Sequence, residues 1–130
     1  MEDHRWRELL VLARRTLGKG SPISWSSDSW CAYTTFSSLA NLCVYWQNGV
    51  PDEQELLTDR TSDGGLWRQS FRYADLAHLL FPAVFRWERS ENGQFTQGEK
   101  RQPIHALSER LGSAGIQHRL TELVLEVKVY

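Results

Sequence analysis

The segment Pro103–Tyr130 constrains the fold most, because its hydrophobic period changes partway along. Pro103 suits the first turn of a helix, where its missing N–H is not needed. Ile104, Leu107 and Leu111 then recur on one helical face. Gly112 and Gly115 are expected to stop that helix, since glycine accepts the left-handed backbone common at helix ends. From Glu122 the period becomes two. Leu123, Leu125, Val127 and Val129 point one way, and Glu122, Glu126 and Lys128 the other. This is a half-buried strand running to the last residue, so the C-terminus is expected to be pinned in a sheet. A strand with one wet face belongs to an antiparallel or mixed sheet with helices on its other side.

The N-terminal stretch supplies such a helix. Asp3 can cap it, Trp6, Leu9, Leu10, Ala13 and Leu17 share its apolar face, and Gly18 ends it. Arg5, Arg7, Arg14 and Arg15 crowd the same helix and most are expected on its solvent side, with RNA contact as the alternative. Lys19–Pro22 is a loop. Between Trp25 and Phe36, aromatic, serine and threonine residues favour a strand, with Trp30, Ala32, Thr34 and Phe36 alternating against Cys31, Tyr33 and Thr35. A helix capped by Ser37 or Ser38 should follow, carrying Leu39, Leu42, Cys43 and Trp46 on one face and closing at Asn48–Gly49. A continuous helix through Ala32, Phe36, Leu39, Cys43 and Trp46 is the rival, so residues 30–37 stay open between strand and helix.

Asp52 and Glu55 have the spacing of a capping box at the start of a short helical turn after Pro51. Residues 59–65 are turn-forming. Tyr73, Leu76, Ala77 and Leu80 predict a third helix over Arg72–Phe81, stopped by Pro82. Val84–Arg89 reads as a strand with Phe85 and Trp87 on one side. Asn92–Gly93 is a strong hairpin turn, with a partner strand from about Phe95 and a polar loop over Gly98–Gln102. No repeat or linker interrupts the chain, so residues 1–130 form a single α+β domain. Its helices should pack on one face of a small, largely antiparallel sheet, with the C-terminal strand in that sheet.

The six tryptophans are Trp6, Trp25, Trp30, Trp46, Trp67 and Trp87. Most are expected in the core, with one or two as surface anchors. A net charge of −1 argues against a general nucleic-acid binder. No run of about 20 apolar residues could span a bilayer, and the N-terminus carries no secretory pattern. Cys31 and Cys43 stand in apolar surroundings with no histidine nearby. They read as buried reduced thiols of a cytoplasmic protein, ahead of a disulfide or a metal pair.

Candidate chemistry is sparse. Asp52, Glu53, Glu55, Asp59 and Asp63 lie within twelve positions, opposed only by Arg60. A capped turn with a solvated loop accounts for them; a surface for a basic partner is the functional alternative, with Trp67 as a desolvated anchor. Asp59, Thr61 and Asp63 imitate the start of a calcium loop, but Ser70 holds the position that needs a bidentate glutamate. No metal site or cofactor is expected. His4, His78, His105 and His118 are scattered. His105 and His118 are the one pair considered for acid–base work, and no serine or cysteine has a nucleophile context. Asp63-Gly64-Gly65 lacks the glycine spacing and lysine of a phosphate loop. No catalytic residue is assigned.

Several segments together resemble the small bacterial immunity proteins that neutralise contact-dependent-inhibition or other polymorphic toxins. They are Trp6-Arg7-Glu8-Leu9, Pro51-Asp52-Glu53-Gln54-Glu55-Leu56-Leu57, the Asp63-Gly64-Gly65 turn, Gly115-Ile116-Gln117-His118-Arg119 and Leu123-Val124-Leu125-Glu126-Val127. That group has many unrelated folds and no shared catalytic motif. The resemblance implies a cytoplasmic domain without chemistry of its own and a cognate protein toxin as partner. Many such toxins are nucleases with basic clefts, which Asp52, Glu53, Glu55, Asp59, Asp63 and Trp67 would cover. Nucleic acid and membrane are not expected as partners, and a possible sheet edge leaves self-association open. A small hydrolytic enzyme using histidine and carboxylates is the alternative, as is a regulatory protein-binding subunit.

Overall fold

The computed structural model describes residues 1–41, 44–62 and 69–130. Helix α1 spans Asp3–Leu17, and its buried side chains are Trp6, Leu9, Leu10, Ala13 and Leu17, the apolar face read from the periodicity. Its N-cap is Glu2 rather than Asp3, which falls in the first turn, where a carboxylate favours the positive end of the helix dipole. Strand β1 (Cys31–Thr35) passes directly into the short helix α2 (Phe36–Asn41). The switch occurs at Thr35, whose hydroxyl accepts the Ser38 N–H at 3.1 Å, as an N-cap does.

The predicted helix does not reach Trp46. Trp46–Asn48 form β2, which folds back antiparallel on β1 with Trp46 opposite Tyr33. Leu42 and Cys43, placed on that helical face, lie outside the described residues. Further on, β3 (Arg60–Ser62) and β4 (Ser70–Arg72) pair as a small ribbon.

The largest departure is β5, Leu76–Pro82, where a helix over Arg72–Phe81 was expected. Only Tyr73–Asp75 make a helical turn, of the 3-10 kind. The run Leu76-Ala77-His78-Leu79-Leu80-Phe81 is nearly all apolar, so it satisfies both a helical and a strand period. Burial on both faces is the reason: β5 is the central strand, flanked antiparallel by β1 and by β9 (Val124–Lys128). The sheet order is β2-β1-β5-β9-β8, with β8 being Arg119–Leu120.

Strand β6 (Val84–Glu91) and β7 (Gln94–Arg101) form a separate ribbon. Asn92 (φ 51°) and Gly93 (φ 76°) make the two-residue turn, both in the left-handed region that such a hairpin requires. The expected polar loop over Gly98–Gln102 is instead mostly strand, because each residue to Arg101 has a partner on β6. Helix α3 (Ile104–Ser113) buries Ile104, Leu107 and Leu111. Gly112 lies inside α3 and does not stop it; Gly115 does so at φ 70°, and the Ile116 N–H returns to the Leu111 carbonyl at 2.9 Å.

Helices α1 and α3 pack on one face of the five-stranded sheet, giving the α+β architecture. The core between the layers holds Trp6, Leu9, Leu10 and Ala13 of α1 and Leu107 and Leu111 of α3. They meet Cys31, Tyr33, Leu79, Phe81, Leu125 and Val127 from the facing side of the strands. The C-terminal strand is in the sheet but is shorter than expected. Leu123 is 80% exposed and precedes it, and the last ladder residue is Lys128.

Of the five described tryptophans only Trp6 is fully buried, contrary to the expectation that most are core. Two of the others fasten the β6–β7 ribbon to the domain: Trp30 stacks on Phe85 at 5.7 Å and Trp25 lies under the Arg89 guanidinium at 4.1 Å. Trp87 belongs to the ribbon itself, its ring covering Gly98 of β7. Buried Gln102 completes the attachment, accepting the Trp30 N–H and donating to the Trp30 and Pro82 carbonyls.

Candidate functional site

The acidic segment is built on the turn after Pro51. Asp52 and Glu55 form the expected capping box around Glu53–Glu55, with the Asp52 N–H donating to Glu55 Oε2 at 3.2 Å. Helix α1 runs beside it. Arg14 donates to Asp52 Oδ1 from Nε and Nη2 at 2.8 and 2.6 Å. Arg15 grips both oxygens of Glu53, at 2.6 and 3.1 Å. Arg7 adds a bond to the Leu56 carbonyl at 3.0 Å. Asp59 is held by Arg60 at 3.1 Å through both oxygens. The hydrogen bond from Arg15 holds the Glu53 carboxyl below its ordinary range, and Arg60 does the same for Asp59.

Arg14, Arg15, Asp52, Glu53 and Gln54 line an open depression of about 430 Å³. The carboxylates stay accessible, with Asp52 and Asp59 side chains about half exposed. Along the sequence Arg60 alone opposes this segment. Arg14 and Arg15 also meet it, from thirty-eight residues away, so Asp52 and Glu53 present paired rather than bare charge. Asp63 and Trp67 lie outside the described residues.

A second cluster sits on the sheet face that the helices leave open. His78 on β5 is buried, and its Nε2 bonds Glu126 Oε2 on β9 at 2.7 Å. A carboxylate only accepts, so Nε2 carries the proton, and in the neutral ring Nδ1 accepts from the Tyr45 hydroxyl at 3.1 Å. Arg119 on β8 pairs with the other oxygen of Glu126. Burial pushes the Glu126 carboxyl up, but the bonds from His78 and Arg119 outweigh it and leave it below its ordinary value. Around this array the aromatic rings gather: Tyr130 meets His78 edge-on at 6.4 Å, Phe36 meets Tyr130 at 6.1 Å, and the Lys128 ammonium lies 4.4 Å from the Tyr130 ring centre. Phe36, Tyr45 and Tyr130 are 40%, 36% and 58% exposed.

Local sequence does not announce this cluster, because the spacing around His78 fits a helix as well as a strand. One signal existed: Glu126 and Lys128 mark the wet face of the last strand, and residues opposite them must share it. The register supplies the rest, setting Thr34, His78 and Lys128 in one row.

Glu126 gives a pH prediction. Its folded value is depressed, so its contribution is complete above the ordinary carboxylate value of 4.5 and is lost as pH falls through the folded value. Glu126→Gln is expected to flatten the acid limb of stability against pH, read by urea unfolding from neutral pH downward. An acid limb identical to the parent's would contradict this assignment.

Of the remaining histidines, His118 borders the second cluster, lining an open depression with Arg119, Glu126 and Lys128, while His4 and His105 lie apart from it. His118 has both ring nitrogens engaged, by the Ser108 hydroxyl at 2.6 Å and the Ile116 carbonyl at 2.8 Å. His105 is exposed on α3, and His4 stands at the N-terminus beside Glu2. Cys31 is buried, and burial pushes its thiol up to about 12, far from a reactive thiolate. Of the calcium-like pattern, Thr61 is buried on β3 opposite Phe71, whereas Ser70 is exposed on β4 opposite Ser62. Cys43 lies outside the described residues. Among the described residues no helix is long and apolar enough to cross a membrane.

The fold and these two clusters define an α+β domain with surface-displayed aromatic and ion-paired groups. Comparison with protein-family models, curated proteins and solved structures finds no match to this chain.

Proposed function

We propose that the chain is a non-catalytic, toxin-neutralising protein of the immunity type, which acts by binding a cognate protein toxin. The observation that carries this reading is the exposed aromatic group Phe36, Tyr45 and Tyr130. It is ordered by ring contacts around His78 and rimmed by Arg119, Glu126 and Lys128. An apolar centre with a polar rim is the anatomy of a protein interface, and tyrosine is among its favoured anchors. Because these rings are already held by their neighbours, binding would cost little ordering entropy.

The acidic segment enters as a second contact. Asp52, Glu53, Glu55 and Asp59 sit on a turn made rigid by the capping box and the arginine pairs. A basic residue of the toxin would meet carboxylates already in place, with Asp63 and Trp67 beside them in sequence. Arg14 and Arg15 reduce the long-range attraction such a surface exerts, so the aromatic group takes the larger share of affinity.

The test uses the polypeptide encoded beside this chain's gene, in an inactivated form for calorimetry and an active form for a growth assay. A one-to-one complex and protection from toxicity are expected. Phe36→Ala with Tyr130→Ala should weaken binding about thirtyfold, the equivalent of about 2 kcal/mol. A parent chain that neither binds nor protects overturns the proposal.

A further inference from the structure

The β6–β7 ribbon carries an open strand edge on its outer side. In a two-residue hairpin the pair flanking the turn, Glu91 and Gln94, is hydrogen bonded, and alternation follows from it. The backbone groups of Gln94, Thr96, Gly98 and Lys100 therefore point to β6. Those of Phe95, Gln97, Glu99 and Arg101 point away. Among the described residues no backbone group pairs with that outward row. The Ser24–Ser26 turn packs on β6 and leaves β7 as the outer strand. An unpaired edge of eight residues without proline is a template for another strand.

We propose that the occupant is β7 of a second copy, paired antiparallel about a two-fold axis through Gly98. The two ribbons then form one four-stranded sheet. A two-fold perpendicular to the sheet keeps each face on its own side, which restricts the register to pairs of like parity. About Gly98, Gln97 stands opposite Glu99 and Phe95 opposite Arg101, each twice, and both pairs use outward-pointing backbone groups.

The side chains agree with this register. Phe95, 59% exposed, meets an arginine over its ring, and the Gln97 amide meets the Glu99 carboxylate. At the axis the two glycines add no side chains, and their inner face is already filled by Trp87, whose ring lies 2.6 Å from where a Cβ at Gly98 would stand. The neighbouring registers are worse. Centring on Glu99 opposes two carboxylates directly, and centring on Gln97 sets Phe95 against Glu99 and leaves Arg101 without a partner.

The second copy leaves the aromatic group on the five-stranded sheet untouched, so this proposal and the toxin-binding one fail separately. Sedimentation equilibrium across a dilution series is expected to show reversible dimerisation, with twice the mass of one chain at high concentration. Gln97→Pro removes an outward N–H that the hairpin does not use and should weaken the dimer tenfold or more, with the circular dichroism spectrum unchanged. Phe95→Lys opposes Arg101 of the other copy and should also weaken it, whereas Phe95→Glu pairs with that arginine and should keep or tighten it. A monomer at every concentration overturns the proposal. So does a dimer that Phe95→Lys and Phe95→Glu weaken alike, since that pattern reports a nonspecific apolar contact.

Discussion

Trp6→Ala is expected to cost about 3–5 kcal/mol of folding stability. Trp6 is 1% exposed and stands in the centre of the layer between α1, α3 and the sheet. Removing the indole deletes its transfer free energy and leaves a cavity that two helices and five strands cannot close by small shifts. Since native stability is typically about 5–15 kcal/mol, the variant should be close to unfolding at moderate temperature. Trp46→Ala is the internal comparison. Trp46 is 44% exposed on the edge strand β2, and its removal should cost below about 1 kcal/mol. Urea unfolding of the two variants reads the difference, and equal losses would place Trp46 in the core and refute the packing described above.

Gly49→Ala is expected to be nearly as damaging, about 3 kcal/mol or more, by overpacking rather than by a cavity. A Cβ at Gly49 would stand 2.2 Å from the Ser21 nitrogen and 2.4 Å from the Gly20 Cα, both backbone atoms. Neither segment is free to retreat. The Gly49 N–H donates to the Ser21 carbonyl at 3.0 Å, the Val50 N–H donates to the Ser29 hydroxyl at 3.1 Å, and Gly20 bridges Ser29. Gly112→Ala provides the contrast: nothing lies within 4 Å of its Cβ position, and it is inside α3. That change should stabilise the protein by about 0.5–1 kcal/mol through helix propensity. A Gly49→Ala variant as stable as the parent would show that the 20–21 and 49–50 segments do not cross so closely.

The two glycines also show how legibility divides. Gly112 was read as a helix stop from sequence, and Gly49 as a helix end, because glycine near the end of an apolar period is usually a cap. Gly112 is an ordinary helical residue with open space beside it. Gly49 is glycine because another stretch of backbone passes against it, and no local pattern announces a neighbour twenty-eight residues away. The candidate site divides in the same way. Asp52 and Glu55 were legible as a capping box, since its two bonds span three residues. By local pattern alone, the arginines that meet Asp52 and Glu53 face solvent and His78 falls on a helix. Both partnerships are made across elements, the first over thirty-eight residues and the second, His78 with Glu126, over forty-eight.

By itself the amino-acid order determined the elements whose hydrogen bonds close within a few residues: α1, most of α3, the Asn92–Gly93 hairpin and the turn after Pro51. It determined too that the last strand has one wet face. Only the tertiary structure decided that residues 76–82 are the central strand, that Trp46 lies on an edge, and that Trp25 and Trp30 fasten a ribbon instead of filling the core. The reason is energetic. A helix or a tight turn satisfies its own backbone, so its signal is local. A strand's backbone is satisfied only by strands distant in sequence, and a run such as Leu76–Phe81, apolar on every side, takes whichever form its neighbours complete.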